Sequence, residues 1–332
     1  MKNHKVIVVG GGAAGLQAAA TLKELGVEPL IIEREMQTGG KVRRWHRLFP
    51  DFTSASEVLA TLEKNAEGIE TLCGVMVDSI DATGVTLAGG RHIKADAMVV
   101  ATGFDLFRAE LKEEYGYGIY DNVYTSADIE DMLNGDGVRL KDGSAPGRVA
   151  FLHCVGSRDE KVGQPHCSRL CCITAVKQAM ELRESFPDAE IYNYYMDIRM
   201  FGAGYEEMYR SAQEDGEVRF VRGRISEASP TIDGRVQIKA EDTLLGRPVK
   251  MTVDMLVLAV GMTAAESNGR LGVGLQSGGF IAPRDLFTGA VYSPDAENIF
   301  YAGCATAPKN IGETLNEATA AAVKAAEFLL EK

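Results

Sequence analysis

Cys154, Cys167, Cys171 and Cys172 gather four of the chain's six thiols into one short stretch, HCVGSRDEKVGQPHCSRLCC. Thiols at that density bind soft metals or exchange electrons. The spacing is Cys-x12-Cys-x3-Cys-Cys, which sets Cys167 and Cys171 one helical turn apart. Four thiolates converging where a strand ends and a helix begins suit an iron-sulfur cluster, because the positive end of the helix stabilises an anionic assembly. Zinc is an alternative, although an adjacent Cys-Cys pair departs from the paired knuckles zinc favours. A redox-active dithiol and an inert core complete the alternatives; Cys-x-x-Cys, the usual dithiol spacing, does not occur.

A second set of residues points to a nucleotide. Gly10, Gly12 and Gly15 follow the pattern Gly-x-Gly-x-x-Gly between the β-branched run KVIVV (5–9) and the helix former LQAAATLKEL (16–25), and Glu33 ends the next strand, PLIIE. Gly10 permits a tight turn, Gly12 lets backbone approach a pyrophosphate, and Gly15 lets helix and strand pack closely. The helix start then faces the phosphates and Glu33 accepts from ribose hydroxyls.

The elements that position both sets follow from the apolar runs. ADAMVVATG (95–103) reads as a strand ending in Ala101-Thr102-Gly103, and residues 297–330 as a strand, a loop and a long alanine-rich helix. GRVAFLHCV (147–155) reads as the strand that delivers Cys154, and a helix over 168–185 carries Cys171 and Cys172. VDMLVLAVGM (253–262) looks like a second copy of the strand ending ATG. These runs predict an α/β protein, and their similarity to the thioredoxin and glutathione reductase superfamily implies two Rossmann-like three-layer domains, one discontinuous, 1–115 with 266–332, and the other, 116–265, inserted into it. After the inserted domain's first strand only Gly156 stands where three glycines are needed. At Gly202-Ala203-Gly204 the third glycine is replaced by Glu207, whose charge repels a pyrophosphate at a helix start. NAD(P)H binding is therefore not expected.

Composition narrows the partners. Acidic side chains outnumber basic ones 47 to 35, a formal charge of −12, which repels nucleic acid and anionic lipid alike. The start of the chain runs directly into a strand without a leader-like apolar stretch, and no run approaches spanning length, so a cytoplasmic protein is expected. Cys73, in TLCGVMV, reads as a small buried hydrophobe, and His153 and His166 as loop histidines; a hydrogen-bonding role beside a sulfur centre is the alternative for the two histidines.

The nucleotide motifs resemble the FAD domain of the thioredoxin and glutathione reductase superfamily. That resemblance implies FAD contacts from Gly10, Gly12, Ala13, Ala14, Gly15, Glu33 and Arg34, from the Gly39-Gly40-Lys41 loop, and from the backbone of Val77 beside adenine. It extends them to Ala101, Thr102 and Gly103, to Gly303 and Cys304, and to Asn310 and Ile311. The superfamily has Gly-Asp where this chain has Gly303-Cys304, which removes one ribitol contact. CVGSRDE, PHCSRLCC, TAVKQAMEL and YMDIRMFGAGYEEMYRSAQEDGEVRFVRGR are similar, in order, to the central part of the heterodisulfide reductase A subunits. The family binds a [4Fe-4S] cluster through four cysteines, which fall on Cys154, Cys167, Cys171 and Cys172. The resemblance implies an FAD and [4Fe-4S] electron-transfer subunit, homodimeric, working with Hdr-like B and C type subunits or other iron-sulfur proteins. The chain resembles the short, Hdr-like A subunits of cytoplasmic sulfur-compound oxidation. Lys177, five residues beyond Cys172, is the candidate for a catalytic group at the flavin edge. Two other functions stay open, an NAD(P)H-dependent disulfide reductase and a flavin-binding protein with structural zinc.

Overall fold

The aliphatic runs KVIVV, EPLII and AMVV form the strands Lys5–Val9, Glu28–Ile32 and Ala97–Val100, buried along nearly their whole length. They lie parallel in a five-stranded sheet of order 299–301, 97–100, 5–9, 28–32, 70–72. Such strands suit a sheet covered on both faces. Helix Ala13–Glu24 crosses from the first strand to the second, and helix Ile311–Leu330 packs against it, burying Ala318, Ala321, Ala322 and Ala325. A three-stranded antiparallel sheet, Val77–Asp81, Gly84–Leu87 and His92–Lys94, completes this unit. The computed structural model describes residues 4–331, and the first unit comprises Met1–Arg43, Ala55–Asp105 and Thr263–Lys332.

The second unit, Arg44–Ser54 with Leu106–Met262, repeats the plan. Its parallel sheet has the order 219–222, 190–195, 148–155, 255–260, 123–125, and its antiparallel sheet joins Ile225–Pro230, Val236–Asp242 and Arg247–Val253. One face of the parallel sheet packs against helices Cys171–Ser185 and Tyr205–Glu214, the other against the antiparallel sheet. Residues 44–54 fold with this unit: Phe49 and Phe52 pack on its core, the His46 N–H donates to Glu130 at 2.9 Å, and Arg44 pairs with Asp131. Among the described residues no helix is long and apolar enough to cross a membrane.

Candidate functional site

In the first unit the turn after Lys5–Val9 is a backbone cradle. A methyl added at Gly15 would stand 1.8 Å from the Gly10 carbonyl oxygen, and one at Gly10, whose φ is +103°, would stand 2.4 Å from that of Ala101. Neither position has room for a side chain. At Gly12 the added carbon meets only the Gly40 Cα at 3.9 Å, so open space lined by backbone lies over the helix start. Ala13 and Ala14 begin the helix, and the Gly39 N–H donates to the Gly11 carbonyl at 2.8 Å, closing the Gly39-Gly40 loop on the turn. The buried Glu33 carboxylate accepts the Gly11 N–H at 2.5 Å and the Glu35 N–H at 2.8 Å. Asp105 lies 3.5 Å from Arg34 and 3.6 Å from Lys41, whose ammonium stands over the Phe104 ring.

The other expected residues of this unit lie at strand and helix ends. The Ala101 N–H reaches the Val9 carbonyl at 2.8 Å, Thr102 donates to Asn268 at 2.8 Å, and Gly103 opens onto empty space. Val77 begins the antiparallel sheet. Asn310 caps helix Ile311–Leu330 by accepting the Glu313 N–H at 2.8 Å, with Ile311 the first helical residue. Cys304 is buried, and burial pushes its thiol up. Sequence reasoning missed Glu317, which accepts the Gly303 N–H at 2.7 Å and pairs with Lys309 at 3.2 Å. It brings a carboxylate to the backbone beside Cys304. An open cradle of backbone at a helix start fits a dinucleotide pyrophosphate.

In the second unit the corresponding turn is built for side chains. Strict alternation along Arg148–Val155 would put Cys154 on the face of Ala150 and Leu152, away from the cysteine helix. A bulge intervenes. Leu152 pairs with Leu258 and Val155 with Val260, and Cys154 takes a left-handed φ of 61°. The bulge re-aims Cys154 onto the face of Phe151, Cys171 and Cys172. The loop back is pinned on itself: the Arg158 N–H donates to the His166 carbonyl at 2.9 Å and the Ser168 N–H to Ser157 at 2.9 Å. Arg158 and Arg169 are also left-handed, at 56° and 62°.

The helix begins at Cys171, not at Ser168, because Ser168 is held by Ser157 and by the Met262 N–H, and Arg169 breaks the helical path. The left-handed Arg169 lies just ahead of the adjacent pair, and Cys171 and Cys172 are the first two helical residues. Cys154, Cys171 and Cys172 are buried and share hydrogen bonds; Cys167 is half-buried on the loop, its sulfur accepting the Arg169 N–H at 3.3 Å. Hydrogen bonds from Cys154 and Cys172 push the Cys171 thiol well up. The bond to Cys171 brings Cys172 down to about 4 and Cys154 to about 7. Among the described residues no group of three or more His, Cys, Asp or Glu side chains is spread as ligands around a metal ion. The donor set would fit an iron-sulfur group: cysteine sulfurs at a helix start, backbone N–H groups of Arg169 and Arg199 directed at sulfur, and an apolar surround.

Two expectations are corrected here. His153 is not a loop residue but lies within the strand, 2% exposed, and Cys73 is half-exposed just beyond the short strand Glu70–Leu72. Lys177 is buried. Its ammonium is 2.6 Å from Glu130 and 3.3 Å from Glu181, and donates to the Arg47 carbonyl at 2.9 Å; His46 stands 2.9 Å from Glu181. Burial pushes the Glu181 carboxyl up. Sequence reasoning missed this cluster, and the one sequence signal was Glu181 four residues after Lys177.

Comparison with known proteins gives consistent matches. Residues 4–134 match the pyridine nucleotide-disulphide oxidoreductase family. The whole chain shares the fold of T. acidophilum thioredoxin reductase, with a TM-score of 0.69 and 18% identity over 99% of this chain and 100% of that one. It shares that of the sulfide:quinone oxidoreductase of Aquifex aeolicus, with a TM-score of 0.64 and 18% identity over 99% and 77%. In sequence it is 30% identical to the A subunit of the H(2):CoB-CoM heterodisulfide,ferredoxin reductase of Methanothermobacter thermautotrophicus over 98% of this chain and 64% of the relative. It is 32% identical to the iron-sulfur A subunit of the CoB--CoM heterodisulfide reductase of Methanocaldococcus jannaschii over 95% and 63%. The chain therefore spans just under two thirds of these relatives. The alignment with the first runs to 427 positions against 332 residues here, so segments of that relative have no counterpart in this chain. Identity sustained along nearly the entire chain, on a thioredoxin reductase frame, makes this protein a homologue of the heterodisulfide reductase A subunits.

Proposed function

We propose that this chain is the flavin-bearing A subunit of a heterodisulfide-reductase-like complex, an oxidoreductase that transfers electrons between FAD and a [4Fe-4S] cluster. The observation that carries the reading is the cysteine set at the strand-to-helix turn of the second unit, where a dinucleotide domain would carry glycines. Gly12, Ala13, Ala14 and Gly40 would hold the FAD pyrophosphate and Glu33 its ribose, and Cys154, Cys167, Cys171 and Cys172 would hold the cluster. When bound, FAD supplies two-electron chemistry and the cluster one-electron chemistry.

The chain's own residues do the rest. The start of helix Cys171–Ser185 favours negative charge on Cys172, and the layer of Phe151, Val176 and Ala179 excludes water from the pair. Arg158, paired with Asp197 at 2.8 Å, adds a positive charge beside Cys154 and Cys167. Thr102 and Asn268 fix the end of the strand before Gly103.

The finer reading is a short, cytoplasmic, homodimeric component of sulfur-compound oxidation whose disulfide or sulfur chemistry is completed by B- and C-type partners. The segments of the methanogen relative that lack a counterpart here support that shorter form. The test is anaerobic purification, with released flavin identified and iron and labile sulfide counted. The expected result is FAD with about four irons per chain, a flavin left oxidised by NADH and NADPH, and both centres reduced by dithionite. Rapid bleaching by either nucleotide in an iron-free protein would restore the disulfide reductase reading.

A further inference from the structure

The face that strands Arg148–Val155 and Glu190–Tyr195 present to helix Cys171–Ser185 is almost wholly apolar, with Val149, Phe151 and Ile191 packed on Val176 and Ala179. Two polar side chains interrupt it. His153 and Asn193 are 2% and 0% exposed, and His153 Nε2 stands 2.7 Å from Asn193 Oδ1. Their far ends, His153 Nδ1 and Asn193 Nδ2, have no hydrogen-bond partner of normal geometry. Leaving buried polar groups unpaired is destabilising, and an apolar pair of similar volume would fill the same layer without that cost. The group that interacts with His153 from across the layer is the Cys172 sulfur.

We propose that His153, steered by Asn193, is a positioning residue for the cysteine centre: its Nδ1 donates to the Cys172 sulfur once that sulfur is a ligand, holding it in place and raising the reduction potential of the cluster. With Asn193 Oδ1 on Nε2, a hydrogen on Nδ1 makes the ring an imidazolium. With the amide turned end for end, its NH2 group meets Nε2 and a neutral ring keeps its hydrogen on Nδ1. Both arrangements present a hydrogen to the sulfur. A donor there stabilises the more negative, reduced cluster over the oxidised one. The N–H groups of Arg169 and Arg199 already serve Cys167 and Cys172 from the backbone, and His153 adds a side-chain donor from the sheet side.

This inference rests on the reading that the four cysteines hold a cluster, and the test separates the two. His153→Phe and His153→Gln are purified anaerobically beside the unmodified chain, iron and sulfide are counted, and the midpoint potential is read by electron paramagnetic resonance during a redox titration. His153→Phe is expected to keep its iron and shift the reduction equilibrium about tenfold toward the oxidised cluster, ~59 mV for one electron. His153→Gln, which retains an N–H donor, recovers most of that shift. Loss of iron from the Phe variant but not from the Gln variant also supports the proposal, because the same donor then decides ligand retention. An iron-replete His153→Phe protein at the unmodified potential overturns it, as does loss of iron from both variants, which reduces His153 to packing. An unmodified chain without iron overturns the cluster reading itself, and this inference with it.

Discussion

In the first unit the chain leaves the central strand at Val9 and enters a helix at Ala13; in the second it leaves at Val155 and enters at Cys171. Both turns lie at the carboxyl end of the central strand of a five-stranded parallel sheet, the crevice where such sheets bind ligands. The short turn leaves side chains out, so that its backbone stays open. The long turn works by aiming side chains in, and its means are a bulge, three left-handed non-glycine residues and a loop hydrogen-bonded to itself. One architecture thus carries an open backbone turn in one unit and a turn lined by side chains in the other.

The largest effect expected is at Gly15. Gly15→Ala puts a methyl into the Gly10 carbonyl and should cost about 4 kcal/mol or more, read as loss of the folded chain in urea. Gly12→Val, at the open end of the same turn, should leave stability within ~1 kcal/mol while abolishing flavin absorbance. If Gly12→Val keeps full flavin, the backbone site is misplaced.

Next is Lys177→Met. It strands Glu130 and Glu181 without their cation in a buried site, and should destabilise the chain by about 3–5 kcal/mol in denaturant titration. A loss below ~1 kcal/mol would mean the cluster is wetter than its burial implies. Smaller again is Arg169→Gly. It relieves a left-handed backbone but gives up the Phe201 ring contact, so the net change in a thermal melt of the iron-free chain should stay within about 1 kcal/mol. The smallest effect is on iron content in Cys73→Ala and Cys304→Ala, which should match the unmodified chain.

The short turn was legible in the sequence because its information is local: strand, glycines, helix and acid follow one another, and sterics explain each glycine. The long turn was legible only as a set of cysteines. Period-two alternation places Cys154 on the wrong face, and only the bulge corrects it. The helix start was misplaced by three residues because Ser168 is captured by Ser157 and Met262, a contact 94 residues away in the chain. Nothing local announces that residues 44–54 fold with the second unit, or that His153 and Asn193 meet across two strands. A polar residue inside an apolar strand, as in FLHCV and IYNYY, was the available signal.

The central claim is that the long turn is a four-cysteine cluster site. Its most direct test is iron, sulfide and reduced-state electron paramagnetic resonance across Cys154→Ala, Cys167→Ala, Cys171→Ala and Cys172→Ala, prepared anaerobically with the unmodified chain. The expected result is a full cluster in the unmodified protein and an absent or degraded one in each variant, because a missing thiolate opens iron to solvent. A full cluster in any one variant removes that cysteine from the set, and an unmodified chain without iron contradicts the account.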